Sequence, residues 1–112
     1  MSDEIDYFAT PGQFDIIDGL EHYENTEGAV LIDVRMKAEY DEGHIPDAIN
    51  LPLQKIDKLI EKRVPDKETP LFLYCVTGAR SGRATSIVKS MGYTRAYNIG
   101  GVIGYEGELV KD

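Results

Sequence analysis

The chain carries one cysteine, and its neighbours are those a reactive thiol needs. In Leu71-Phe72-Leu73-Tyr74-Cys75-Val76-Thr77-Gly78-Ala79-Arg80-Ser81 an apolar run passes into a loop holding glycine, hydroxyl residues and an arginine. Cysteine attacks as its thiolate, and a free thiol with a pKa of about 8.5 is mostly protonated at neutral pH. A helix N-terminus and nearby cations stabilise the anion, so Cys75 is expected to titrate below its ordinary value, with inward-facing loop N–H groups, Arg80 and Arg83 as the causes. Gly78 lets the loop curl through backbone angles closed to other residues, and Thr77 and Ser81 add hydroxyl donors. Arg80, with its planar fork, is the side chain expected to meet a bound oxyanion at the rim. The competing reading is an inert core thiol, since free cysteines are among the most buried residues. The adjoining Gly, Arg and Ser and the helix start that follows favour the reactive one.

A single cysteine closes no internal disulfide and forms no Cys-x-x-Cys pair, so any reaction begun at Cys75 must be finished by another molecule. The net charge of -8 argues against a nucleic-acid partner, because neutralising phosphates takes a surplus of Lys and Arg. Its distribution is uneven. Between Thr69 and Tyr105 there is no Asp or Glu, while Arg80, Arg83, Lys89 and Arg95 contribute +4. The cysteine therefore lies in a basic stretch of an acidic chain, a field that draws small anions. Two histidines and one cysteine at scattered positions lack metal-ligand spacing, and neither a metal nor a cofactor is expected.

These groups have to be held by a fold, and 112 residues suit one compact domain, residues 1–112, with a core that needs no staples. No apolar run approaches the ~20 residues that cross a bilayer, and the acidic start lacks the features of a secretion signal. The expected location is the cytoplasm. Short apolar runs alternate with helical periodicity, which predicts an α/β sheet of parallel strands. Strands are expected at 29–34, 48–50, 71–74 and 96–99. Thr10-Pro11-Gly12-Gln13 offers a capped helix start, followed by an apolar face of Phe14, Ile17 and Leu20. Further helices are expected at 36–41, through Leu53, Ile56, Leu59 and Ile60 up to Pro65, and from Ser81 through Met91 with Gly92 as the stop. A last helix is expected to bury Val102, Tyr105 and Leu109. Cys75 then stands where a strand hands over to a helix, the place where ligands bind in open α/β sheets.

Three stretches together resemble the rhodanese family of sulfurtransferases. Leu31-Ile32-Asp33-Val34-Arg35 with Glu39-Tyr40 and Gly43-His44-Ile45-Pro46-Asp47-Ala48-Ile49-Asn50 is similar to its first signature. Leu73 to Ser81 is similar to its active-site loop, and Tyr97-Asn98-Ile99-Gly100-Gly101-Val102 to its last motif. The likeness runs over residues 29–107. It implies a three-layer fold with a central five-stranded parallel sheet flanked by helices on both faces. It also implies a cysteine that takes sulfane sulfur from a donor, holds it as a persulfide and passes it to a nucleophile. By that likeness Cys75 is the nucleophile, and Val76, Thr77, Gly78, Ala79, Arg80 and Ser81 hold the transferred sulfur and the donor's anionic end. The implied partners are small sulfur-containing anions, a thiol or cyanide acceptor, and possible protein donors or acceptors of sulfur. Asp33 is expected to support the loop by accepting from its backbone, Arg35 to pair with a carboxylate such as Glu39 or Glu42, and His44 to be a turn residue with a satisfied ring. Three departures stand out. Asp47 replaces a common glycine and Tyr105 a common tryptophan. Val76 and Thr77 are uncharged where some thiosulfate-preferring members are basic, which weighs against thiosulfate as the natural donor.

Other readings compete. Cysteine phosphatases and arsenate reductases also place a cysteine before an arginine at a helix start, but with five residues between them; here four separate Cys75 from Arg80. The smaller ring suits one sulfur atom better than a tetrahedral phosphoryl group. A non-catalytic binding or sulfur-carrier module is the alternative of a different class, and the intact cysteine loop favours chemistry over it.

Overall fold

The computed structural model describes residues 14–111. Its sheet has four parallel strands, β1 (Val30–Asp33), β2 (Ile49–Asn50), β3 (Leu71–Cys75) and β4 (Ala96–Gly101), in the order β2-β1-β3-β4. The helices are α1 (Ile16–Glu24), α2 (Lys37–Glu42), α3 (Ile56–Arg63) and α4 (Ala79–Ser90). The fifth strand that the resemblance implies is not among the described residues. The four present correspond to the four apolar runs of strand length read from the sequence.

All five residues of β3 are buried, as a central parallel strand covered on both faces must be. Because successive side chains point to opposite faces, β3 feeds two cores. Leu71, Leu73 and Cys75 pack with Ile56 and Ile60 of α3 and Ala84 and Val88 of α4. Phe72 and Tyr74 pack on the other face with Ile16 of α1, Ile45 and Ile99. This parity gives the three layers, and it sends the Cys75 side chain to the α4 side. Burying a side chain such as Leu73, which is fully enclosed, contributes about 1.5–3 kcal/mol, so a one-residue slip of β3 would lose two such faces at once.

Two expectations about helices are corrected, the buried face of the first described helix and the last helix. The expected cap at residues 10–13 lies outside the described residues; α1 is capped by Asp15, whose Oδ1 accepts from the Asp18 N–H at 2.9 Å. Phe14 precedes the helix, and Ile17 is 51% exposed while Ile16 and Gly19 are buried. The buried face is rotated because α1 approaches β4 at Gly19, where an added Cβ would overlap the Ile99 side chain. The last expected helix reduces to one 3₁₀ turn, Val102–Gly104. Gly104 and Gly107 cost helix propensity there, and the chain instead runs extended to pair Val110 with His44 in an antiparallel bridge. Tyr105 still packs on the α1-side core, while Leu109 is 44% exposed. No described helix is long and apolar enough to cross a membrane.

Candidate active site

Strand β3 ends at Cys75 and α4 begins at Ala79, two residues before the expected start, with Gly78 as its cap at φ 107°. Only glycine holds that backbone angle without strain, and it turns the loop 76–78 back over the sulfur. The Gly78 N–H donates to Cys75 Sγ at 3.0 Å and the Ser81 N–H at 3.4 Å, with the Ser81 hydroxyl also 3.4 Å away. Burial pushes the thiol up, but the Ser81 hydroxyl and the backbone N–H groups of Ser81, Gly78 and Thr77 outweigh it, and the net position is below the ordinary value. The direction agrees with expectation, and so do the inward-facing loop N–H groups as a cause. The Ser81 hydroxyl and the backbone donors of the loop and first helical turn are the leading causes of the lowering; Arg80 couples to the sulfur by charge, and Arg83 is exposed.

The cradle is closed from behind by β4. Asn98 is buried, accepts from the Ser81 hydroxyl at 2.7 Å and from the Gly100 N–H at 3.0 Å, and donates Nδ2 to the Gly78 carbonyl at 3.0 Å. One amide thus fixes both the apex of the loop and the hydroxyl beside the sulfur. Next to it Gly101 meets the Val76 backbone so closely that any Cβ there would overlap the Val76 carbonyl. Asn98 was not singled out as a site residue from the sequence. Its signal was a strongly hydrogen-bonding side chain inside the apolar strand Ala96 to Ile99, a position that must be satisfied when buried.

The Ser81 hydroxyl has one proton, which it gives to Asn98 or to the sulfur. Its loss removes the donor that most favours the thiolate. Since only the thiolate is alkylated, a lower pKa places the rise of rate at lower pH. Ser81→Ala is therefore expected to move the iodoacetamide rate–pH midpoint of Cys75 upward. An unmoved midpoint would show that the hydroxyl does not act on the sulfur.

Arg80 and the β1 carboxylate take partners other than those expected. Arg80 Nη1 and Nη2 donate to Glu39 Oε1 and Oε2 at 2.8 and 3.1 Å, a two-pronged pair that ties the start of α4 to α2. Glu39 also accepts from the Met36 N–H at 2.9 Å. The Arg80 guanidinium chiefly, despite opposing burial, holds the Glu39 carboxyl down at about 2. Arg35 pairs with neither Glu39 nor Glu42. It binds Asp33, with Nη2 to Oδ2 at 2.7 Å, and donates to the Gly43 carbonyl at 2.7 Å. Asp33 receives the Arg35 backbone N–H at 2.8 Å, so the Asp33 carboxylate is held by the guanidinium and backbone of Arg35 rather than by the cysteine loop. Burial pushes the Tyr74 phenol far up, with the Asp33 charge adding to it, and its oxygen accepts from the Ile45 N–H at 3.0 Å. His44 is buried, bonded through Nδ1 to the Ile45 carbonyl oxygen and stacked on Tyr40 at 3.9 Å, as a turn residue with a satisfied ring.

Beside Thr77 and Gly100–Gly101 a cleft of about 700 Å³ extends to α1, where Asp15, Asp18 and Glu21 line it. The acid-free stretch of the sequence is therefore not acid-free in space: α1 and Glu39 bring carboxylates to both sides of the loop.

A model of the rhodanese-like domain family matches residues 18–107. Thiosulfate sulfurtransferase PspE of Escherichia coli K12 is 42% identical over 71 residues, 63% of this chain and 68% of that protein. The thiosulfate:glutathione sulfurtransferase of Saccharomyces cerevisiae is 38% identical over 76 residues, 58% of this chain and 55% of that protein. Among solved structures, a rhodanese with anions from E. coli superposes with a TM-score of 0.70 at 38% identity, over 75% of this chain and 99% of that one. A parallel sheet delivering a lone cysteine into a glycine-capped loop, and a match that spans that sheet and loop from end to end, have one common source: the chain belongs to the rhodanese-like domain family.

Proposed function

We propose that the protein is a sulfurtransferase in which Cys75 carries the sulfur as a persulfide. The observation that carries this reading is the ring of donors on one buried sulfur, with Gly78 and Ser81 N–H groups aimed at it and its titration displaced downward. Such a ring stabilises an anion at Cys75 and equally an anionic sulfur one bond further out. In the first step the Cys75 thiolate attacks the outer sulfur of the donor. The new S–S bond forms as the donor's own S–S bond breaks, and the donor leaves with the bonding electron pair, as sulfite when the donor is thiosulfate. In the second step a thiol or cyanide attacks the terminal sulfur, the Cys75 S–S bond breaks, and the thiolate is restored.

Cys75 is only 1% exposed, so the reacting atom lies at the bottom of the cradle, where a slender sulfur fits better than a phosphoryl group. Val76, Thr77, Gly78, Ala79 and Ser81 would line the path of the transferred sulfur, with backbone N–H groups as the main donors. The yeast relative, a thiosulfate:glutathione sulfurtransferase, and the E. coli relative, a thiosulfate sulfurtransferase, support a small sulfane donor and a thiol acceptor. The test is a donor panel of thiosulfate, mercaptopyruvate, polysulfide and glutathione persulfide, with kcat/KM measured for each against cyanide and glutathione. Turnover of at least one donor is expected. Turnover of none, with the folded protein intact, would favour a non-catalytic module, and Cys75-dependent hydrolysis of an aryl phosphate would overturn the assignment.

A further inference from the structure

The cradle has one side-chain cation near its mouth that is suited to an anionic donor, and that cation is already occupied. Arg80 presents both terminal nitrogens to the two oxygens of Glu39, the geometry an arginine would use for a sulfonate or carboxylate of a substrate. Glu39 is itself fixed from behind by the Met36 N–H in the first turn of α2, so the carboxylate is held in place rather than drifting across the mouth. The two side chains are 33% and 36% exposed, which leaves water at one edge and makes the pair open to competition. We infer that Glu39 is a specificity-determining residue that occupies Arg80 as an internal substitute for a substrate anion, and so biases the site against dianionic donors and toward sulfur donors of low charge. The inference rests on the sulfurtransferase reading and refines its substrate class. Val76 and Thr77 add no side-chain charge to the loop, and the cleft on the far side carries Asp15, Asp18 and Glu21. A dianion therefore has backbone dipoles to bind but no uncommitted arginine in the loop. Glu39 remains ionised throughout the range in which a thiol reacts, since its carboxyl is held near 2.

The decisive measurement compares two alkylating probes of nearly equal size, anionic iodoacetate and neutral iodoacetamide. In both cases the Cys75 thiolate forms an S–C bond and iodide leaves with the C–I electron pair. The ratio of the two rates cancels thiolate fraction and access to the sulfur, and reports the charge the reagent meets. Glu39→Gln keeps the size of the side chain while removing its charge, and is expected to raise the iodoacetate/iodoacetamide ratio by about three- to tenfold at low salt, less in high salt. Arg80→Gln unmasks Glu39 and is expected to lower the ratio, and the double variant to return it close to the wild-type value. This second pair of variants decides the matter even where Glu39→Gln does not fold. With turnover as readout, Glu39→Gln is expected to lower the KM for thiosulfate more than the KM for an uncharged trisulfide donor. A ratio unchanged by Glu39→Gln, or both rates shifting by the same factor, would make the pair purely structural and overturn the inference. Because the ratio needs no sulfur transfer, that outcome is distinct from failure of the sulfurtransferase reading, which is a wild-type protein that accepts sulfur from no donor.

Discussion

Cys75→Ala is expected to reduce sulfur transfer by on the order of 10³-fold or more with every donor, while the protein stays folded. No other described side chain can hold the sulfur, since Cys75 is the only cysteine in the chain. Loss of the nucleophile therefore removes the covalent route rather than slowing one of its steps. The fold should tolerate the change. Sγ accepts from the Gly78 and Ser81 N–H groups, but the loop itself is held by Asn98 from β4 and by the Gly82 N–H, which donates to the Gly78 carbonyl at 3.0 Å. Steady-state assay beside circular dichroism checks both halves. Substantial residual turnover in the alanine variant would place the chemistry elsewhere.

Asp33→Ala should produce the largest loss of stability. Asp33 is fully buried and Arg35 nearly so, and the carboxylate takes the guanidinium through Nε and Nη2 as well as the Arg35 backbone N–H. Removing the acid leaves a buried cation that keeps its bond to the Gly43 carbonyl but has lost its counter-charge. Breaking one side of such a pair costs about 3–5 kcal/mol, and in a domain of this size that lowers Tm by roughly 10 °C or more. Replacing both members together, as Asp33→Leu with Arg35→Met, should recover most of the loss, because the penalty comes from the unpaired charge rather than from the absent pair. Denaturant titration of the two variants provides the comparison. A single variant as stable as wild type would mean that water or another acceptor reaches Arg35.

Much of the framework was legible because it rests on local rules. The runs around Leu31, Leu73 and Ile99 had strand length and apolar character, Ala84 to Met91 had helical spacing, and Gly78 stood where a turn into a helix needs one. Partners were harder to read than positions. Arg80, Arg35, Glu39 and Asp33 were all visible as charged residues, yet Arg80 met Glu39 across 41 positions, while Arg35 turned back to Asp33, two positions away. The basic stretch around Cys75 was correct as sequence and incomplete as field, since Glu39 enters it from α2 and Asp15, Asp18 and Glu21 border it from α1. The face of α1 turned on a single close approach at Gly19, which apolar periodicity does not encode, and the C-terminal segment had helical spacing that Gly104 and Gly107 could not sustain. Asn98 is the instructive omission. Its place in a strand concealed a side chain that ties the cysteine loop to the sheet.

Whether Cys75 accepts and holds a single sulfur atom is read by intact-protein mass spectrometry after brief exposure to a sulfane donor. A gain of one sulfur is expected, located on the peptide containing Cys75, discharged by cyanide with release of thiocyanate and absent from Cys75→Ala. A folded wild-type protein that gains no sulfur from thiosulfate, polysulfide or glutathione persulfide would contradict it.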